Sequence, residues 1–117
     1  MNFQSSRLAD ACVGVKRLGI MVMLASASFF AIAKPTVHTV VIENMKFSPS
    51  TLELKVGDEV VWQNKDFFPH DVTAENNSFQ SNAMPSQGSW KFVAKKRGQF
   101  PYRCSLHPTM KAALVVK

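Results

Sequence analysis

The sequence predicts an all-β fold, a sandwich of about seven or eight short strands. Short segments rich in β-branched and aromatic residues recur after residue 34, several with alternating polar and apolar side chains. Gly, Pro, Asn and Ser residues separate these segments at short intervals and favour turns. Because none of these segments has the length and 3.6-residue period of an amphipathic helix, two half-apolar sheets packed face to face are the expected arrangement.

Residues 1–33 are typical of a secretory signal peptide that is removed from the mature protein. Three basic residues precede an apolar stretch of 16 residues, 18–33, which ends in the small-x-small sequence Ala31-Ile32-Ala33. A membrane-spanning helix needs about 20 apolar residues, so we expect export with cleavage, and a retained N-terminal anchor is the alternative. The mature domain is then 34–117, and its expected location is the periplasm or another exported compartment.

Seven strands are predicted in the mature domain. In chain order they are 37–43, 52–56, 59–63, 71–74, 89–93, 99–103 and 112–116. Gly57-Asp58 is predicted to form a tight hairpin turn between the second and the third of them. His38 is expected on an exposed strand face, and Trp62 and Trp90 in or near the core.

One heptapeptide carries most of the chemistry. Cys104-Ser105-Leu106-His107-Pro108-Thr109-Met110 spaces a thiolate, an imidazole and a thioether three residues apart, directly after the predicted strand 99–103. His70, which lies in a loop upstream, completes a His₂Cys set with a weak axial Met, the combination that selects copper for electron transfer. The sequence therefore predicts one type 1 copper ion held by His70, Cys104, His107 and Met110.

The cysteine usage agrees with a metal site. Cleavage of the signal peptide removes Cys12, so Cys104 remains as the single thiol of an exported protein. Coordination would hold that sulfur as a thiolate and protect it from oxidation.

Three other chemistries fit the sequence less well. A structural zinc site takes four Cys or His ligands, and a Cys–His nucleophile needs an oxyanion site and an orienting partner. A multicopper oxidase has histidines beside its blue-copper cysteine, whereas Arg103 and Ser105 stand there in this chain. We therefore expect an electron carrier and no enzyme.

The motifs together resemble those of the cupredoxins. The resemblance rests on Cys-x-x-His-x-x-Met after Tyr102, on Pro69-His70 at the end of a preceding loop, and on 47–49, 56–58 and 61–64. The short interval before Met110 is similar to that of amicyanins. The resemblance implies a Greek-key sandwich, the four copper ligands named above, and single-electron transfer between a redox donor and an acceptor, for example a dehydrogenase or a c-type cytochrome.

The resemblance also implies an apolar surface patch around His107, through which partners exchange electrons. Its candidate members are Phe68, Met84, Pro85, Leu106 and Pro108. One position departs from the family, because Asp71 stands where Asn commonly follows the loop histidine. We expect altered tethering of the ligand loops, with the Asp71 backbone N–H still donating to the Cys104 sulfur.

The charge of the mature chain is only mildly basic. Removing residues 1–33 leaves 11 basic and 7 acidic residues, a net charge of +4. Lys95-Lys96-Arg97 is the only tight cluster, and a solvated turn explains it without nucleic-acid binding. We expect a monomer with no stable membrane association after cleavage. A copper-binding or copper-delivery protein of the same fold is the alternative function.

Overall fold

A computed structural model of the protein describes residues 19–31 and 33–117. The chain divides into two compact units, Met1–Ala31 and Ile32–Lys117. The described residues of the first unit are exposed and form no helix or strand. The basic residues of the predicted signal peptide, Cys12 and Ile32 lie outside the described residues, so cleavage after Ala33 stays a prediction. Between residues 19 and 117, no described helix is both long and apolar enough to cross a bilayer.

The second unit is built from eight strands, which confirms the prediction of an all-β sandwich. They are β1 (Val37–Glu43), β2 (Lys46–Ser48), β3 (Thr51–Leu54), β4 (Glu59–Asn64), β5 (Thr73–Ala74), β6 (Ser89–Val93), β7 (Gly98–Arg103) and β8 (Lys111–Val116). The short β2 was absent from the sequence prediction. It pairs with β1 through a turn at Asn44 and Met45, both of which have positive φ.

The strands form two four-stranded sheets. The first has the order β2-β1-β4-β6 and the second the order β3-β8-β7-β5. The pairs β1–β4 and β3–β8 are parallel, and the other neighbours are antiparallel. The chain therefore passes repeatedly from one sheet to the other, which brings loops from both sheets together at the ends of the sandwich.

The prediction of a hairpin at Gly57-Asp58 is wrong, because β3 and β4 belong to different sheets. Gly57, with φ of 94°, turns the chain from one sheet to the other. The Asp58 carboxylate accepts hydrogen bonds from the backbone N–H groups of Thr36 and Lys55, each at 3.0 Å. These two bonds, followed by the bond from His38, lower the pKa of Asp58 to about 2. The Gly57-Asp58 sequence thus indicates a turn, but it does not indicate whether the next strand joins the same sheet.

His38 is also placed differently from the expectation of an exposed strand face. Its side chain is only 23% exposed, and its Nε2 lies 3.0 Å from Oδ2 of Asp58. The carboxylate thus joins the first strand to the turn between β3 and β4. This is a structural role, and it leaves His38 outside the metal cluster.

The core lies between the sheets and is rich in aromatic side chains. Trp62 of β4 and Tyr102 of β7 are almost fully buried, and their rings meet edge to face at 5.6 Å. The indole Nε1–H of Trp62 donates to the Tyr102 hydroxyl at 3.2 Å. Trp90 is partly buried against the same core, so the placement of both tryptophans is confirmed. Burial raises the pKa of Tyr102 to about 12 although the Trp62 hydrogen bond opposes the shift.

Two strand ends position the candidate ligands. β7 ends at Arg103, immediately before Cys104, as the sequence predicted. β4 ends at Asn64, and the following loop leads to His70, which forms an isolated β-bridge with Met84. The predicted strand 71–74 shrinks to Thr73–Ala74, because the backbone N–H of Val72 donates to the Ser81 hydroxyl at 2.8 Å rather than to a neighbouring strand.

Candidate metal centre

Three of the four predicted ligands meet at one end of the sandwich. The Cys104 Sγ lies 3.8 Å from Nδ1 of His70 and 3.8 Å from Nδ1 of His107, and the two Nδ1 atoms are 3.2 Å apart. Cys104 and His70 are fully buried, whereas His107 is partly exposed. The sulfur and the two ring nitrogens therefore face one common point.

The spacing of these atoms fits a metal ion in a trigonal plane. An ion about 2.0 Å from each nitrogen and about 2.3 Å from the sulfur, at angles of about 120°, requires N···S separations of about 3.7 Å and an N···N separation of about 3.5 Å. The observed distances of 3.8, 3.8 and 3.2 Å are close to these values. A thiolate with two imidazoles is a donor set that binds copper.

The loop from Cys104 to Met110 is closed by its own backbone. The N–H of Met110 donates to the His107 carbonyl at 2.9 Å, and the N–H of Cys104 donates to the Met110 carbonyl at 3.1 Å. Met110 is 3% exposed and directly precedes β8. The short loop thus brings the backbone of Met110, a buried residue, back beside that of Cys104.

Asp71 joins the two loops that carry the candidate ligands. Its backbone N–H lies 3.4 Å from the Cys104 Sγ, as the sequence predicted. Its carboxylate accepts hydrogen bonds from the backbone N–H of Ser105 at 2.7 Å, from the Ser105 hydroxyl, and from the Thr73 hydroxyl at 3.1 Å. All three partners are donors, so a carboxylate, which only accepts, fits this position.

The loop before His70 is held by two further side chains. The Asn64 amide donates to the Phe68 carbonyl at 2.8 Å and to the Met84 carbonyl at 3.1 Å, which fastens the loop to the segment opposite. The Asp66 Oδ2 lies 2.9 Å from Nε2 of His70. Burial by itself raises the pKa of Asp66, but hydrogen bonds from the backbone of Met45 and Asn44 and from His70 outweigh it and lower that pKa.

The sequence interpretation assigned no role to Asn64 or Asp66. A signal was present, because Asp66 lies four residues before His70 in the same short loop and metal-bound histidines commonly donate their second N–H to a carboxylate. The contacts of Asp66 with Asn44 and Met45 span more than 20 residues. Contacts between residues so far apart in the chain depend on how the strands pair, so no local sequence pattern predicts them.

Four of the five residues predicted for the apolar patch, Phe68, Pro85, Leu106 and Pro108, are exposed, and Met84 is not. Met84 is only 4% exposed and belongs to the core, since its backbone pairs with that of His70. Phe68 and Leu106 are 62% and 49% exposed, and Pro85 and Pro108 are exposed as well. Phe67, 94% exposed, was not among the predicted members. We call Phe67, Phe68, Pro85, Leu106 and Pro108 the apolar rim.

Known proteins resemble this chain in sequence and in fold. The family model described as a cupredoxin-like domain matches residues 16–116. An amicyanin from Paracoccus denitrificans is 28% identical over 101 residues, which cover 80% of this chain and 77% of that protein. A solved structure of the copper(I) form of an amicyanin variant superposes with a TM-score of 0.66 at 28% identity and covers 74% of this chain and 87% of that one.

A larger copper protein shares the fold as well. The copper-containing nitrite reductase of Thermus scotoductus superposes with a TM-score of 0.67 at 26% identity over 73% of this chain, but that match covers only 23% of the reductase chain. The cluster of His70, Cys104 and His107, together with the family match, makes one copper ion the cofactor. The match extends over most of the sequence, and the chain therefore belongs to the cupredoxin-like domain family.

Proposed function

We propose that this protein is an exported type 1 copper protein that carries single electrons, with His70, Cys104, His107 and Met110 as its copper ligands. The observation that carries the proposal is the buried Cys104 sulfur, which lies 3.8 Å from one ring nitrogen of each histidine. The copper supplies a one-electron couple between Cu(II) and Cu(I). All other parts of the function depend on the side chains that hold and surround the copper ion.

Each proposed ligand has a distinct task. Cys104 and His70 are fully buried and define the inner side of the site. His107 is partly exposed and stands in the chain between the exposed Leu106 and Pro108, so its ring would connect the site to a docked protein. Met110 would supply a weakly bound thioether, which tunes the reduction potential. Because backbone hydrogen bonds and Asp71 tie the loops together, little rearrangement accompanies a change of charge.

The extent of the fold match and the small number of histidines favour an electron carrier over an enzyme. The nitrite reductase match covers about a quarter of that larger protein, and thus a shared fold does not transfer its reaction. The chain has three histidines in total, and the third, His38, is bonded to Asp58. A second copper centre built from histidines is therefore not available in this chain.

The partners that we propose are an electron donor and an acceptor in the exported compartment, such as a dehydrogenase and a c-type cytochrome. The apolar rim supports brief docking, because exposed apolar patches on small soluble proteins commonly mark interaction surfaces. The protein would act as a monomer. Size-exclusion chromatography with light scattering tests that part, since a stable dimer would cover the apolar rim or another surface.

An optical and paramagnetic-resonance spectrum of the copper-loaded mature domain, residues 34–117, tests the proposal. We expect strong absorption of red light by the oxidised protein and bleaching on reduction, because the thiolate of Cys104 donates charge to Cu(II). A colourless copper complex would overturn the type 1 assignment.

Copper delivery is the alternative within the same fold, and it differs in what happens after reduction. A carrier keeps its copper through repeated cycles of oxidation and reduction, whereas a delivery protein passes Cu(I) to an acceptor protein. Measuring the copper content after many redox cycles in the presence of a Cu(I) chelator separates the two. Retention supports the carrier, and rapid transfer supports delivery.

A further inference from the structure

The Asp66 carboxylate has contacts on both of its oxygens. Oδ1 accepts from the backbone N–H of Asn44 at 2.7 Å, and Oδ2 accepts from the backbone N–H of Met45 at 3.0 Å. Oδ2 also lies 2.9 Å from Nε2 of His70. One side chain thus links the turn between β1 and β2 to a buried histidine of the site.

We infer that Asp66 is a positioning residue for His70, which fixes the ring of that ligand and increases its electron donation to copper. The inference rests on the proposed function, because it concerns how the same site is tuned. Asp66 and the turn at Asn44 and Met45 would then help to hold the metal site, although none of these residues is a proposed copper ligand.

The contact with Asp66 decides which nitrogen of His70 faces the site. A carboxylate only accepts hydrogen bonds, so Nε2 carries the proton, and the neutral ring then presents its lone pair at Nδ1. That Nδ1 lies 3.8 Å from the Cys104 sulfur. The ring is therefore held in the tautomer that a metal needs before any metal arrives.

The turn explains why Asp66 stays in place. Asn44 and Met45 have φ angles of 54° and 61°, the left-handed conformation that two-residue hairpins use. Their successive N–H groups both point to the one carboxylate. Because the turn joins β1 directly to β2, the Asp66 side chain connects His70 to the sheet and not only to its own loop.

The second histidine differs in this respect. Among the described residues, no backbone or side-chain group forms a hydrogen bond with Nε2 of His107, and that ring is partly exposed. His70 is fully buried and bonded at Nε2. The imidazole of His70 is thus fixed by a hydrogen bond at Nε2, whereas Nε2 of His107 remains available to a docked partner.

The charge of Asp66 also favours the more positive oxidation state of a metal bound at Nδ1. A carboxylate that accepts from the far side of an imidazole makes the ring a stronger donor. Stronger donation and a nearby negative charge stabilise Cu(II) relative to Cu(I), so they lower the reduction potential. Replacing the carboxylate by a neutral amide should raise it.

The variant Asp66→Asn tests the inference, with Glu43→Gln as the matched control. Glu43 is exposed and immediately precedes the turn, so its substitution removes the same charge without touching His70. We expect Asp66→Asn to raise the potential and to weaken Cu(II) binding about 10- to 100-fold, while Glu43→Gln changes both little. The variant Asp66→Glu, which keeps a carboxylate, should recover part of the loss. Equal shifts in Asp66→Asn and Glu43→Gln would overturn the inference.

A measurement without copper keeps the two proposals separate. Nitrogen-15 spectra of the metal-free protein report the tautomer of each histidine, and we expect His70 to be held with the proton on Nε2 in the wild type. A mixed tautomer there would overturn the role of Asp66 whether or not Asp66→Asn folds. If His70 is held as expected but the copper-loaded wild type is colourless, the proposed function fails and the role of Asp66 in orienting the ring stands.

Discussion

The carboxylate of Asp71 accepts a hydrogen bond from the backbone N–H of Ser105 at 2.7 Å, which ties the residue after one histidine to the residue after the cysteine. The backbone N–H of the same Asp71 points to the Cys104 sulfur. This residue therefore holds the two ligand loops in register from both its main chain and its side chain. Asp71 stands where Asn is common in the family. It still links the two ligand loops, but it does so with a negatively charged side chain.

The first prediction concerns this charge. Asp71→Asn keeps an oxygen that accepts from Ser105 and removes a carboxylate beside the site, so we expect a more positive reduction potential. For charges several Å apart near a protein surface, the effect is on the order of 1–2 kcal/mol. Protein-film voltammetry of the two copper-loaded proteins measures it. An unchanged potential and an unchanged copper spectrum would show that Asp71 does not tune the site.

Local patterns predicted the strands and the ligand motif, and long-range pairing decided the rest. Cys104, His107 and Met110 lie in one short loop, so their spacing alone indicated a metal site. The hairpin prediction at Gly57 failed because the next strand joins the other sheet. Met84 was expected at the surface, but its pairing with His70 buries it. The role of Asp66 depends on a turn more than 20 residues away, which no local pattern contains.

The second prediction concerns the cysteine. Cys104→Ser should abolish the absorption of red light, because an uncharged hydroxyl does not replace the thiolate as charge-transfer donor. Thr109→Ala, an exposed substitution in the same loop, is the control and should keep the colour. Absorption spectra of the copper-treated variants, with circular dichroism to verify folding, give the answer. Persistent red absorption in folded Cys104→Ser would contradict the assignment of this ligand.

The third prediction concerns acid stability and the pair His38–Asp58. The backbone N–H groups of Thr36 and Lys55, then His38, lower the pKa of Asp58 to about 2 from 3.8. A depressed pKa in the folded state means that the stabilisation is complete above pH 4 and is lost as the pH falls toward 2. We expect the thermal midpoint of the metal-free protein to fall over this range, and to fall less in Asp58→Asn.

Glu75→Gln is the control for that experiment, because Glu75 is exposed and its carboxylate forms no hydrogen bond among the described residues. Its pH profile should follow that of the wild type. An Asp58→Asn profile that also follows the wild type would show that Asp58 does not carry the effect.

The fourth prediction concerns processing. If residues 1–33 are a signal peptide, the protein recovered from an exported fraction begins at Lys34, and N-terminal sequencing or intact mass spectrometry shows this directly. Replacing Ala31 and Ala33 by bulky residues should block cleavage, because the processing enzyme requires small side chains at these two positions. A recovered protein that still carries residues 1–33 would instead support the retained anchor.

The fifth prediction uses Tyr102, the one tyrosine in the chain. Burial raises the pKa of its phenol to about 12 from 10.0, although the hydrogen bond from Trp62 acts in the opposite direction. The change in ultraviolet absorption on phenol ionisation therefore reports this residue alone. We expect Tyr102 to ionise near pH 12 in the folded protein and near pH 10 in the denatured protein. A folded-state midpoint near pH 10 would contradict the burial of the phenol between the two sheets.

The same shift affects stability, with a sign that follows from linkage. Because the folded-state pKa of Tyr102 is higher than the unfolded-state value, the folded form retains its proton between pH 10 and 12 while the unfolded form loses it. The associated stabilisation, about 2–3 kcal/mol, is complete below pH 10 and is lost as the pH rises toward 12. Denaturant titrations of the metal-free wild type across this range should show the loss. Tyr102→Phe, which has no phenol, should start from a lower stability, since the Trp62 indole loses its acceptor, but should lack this step.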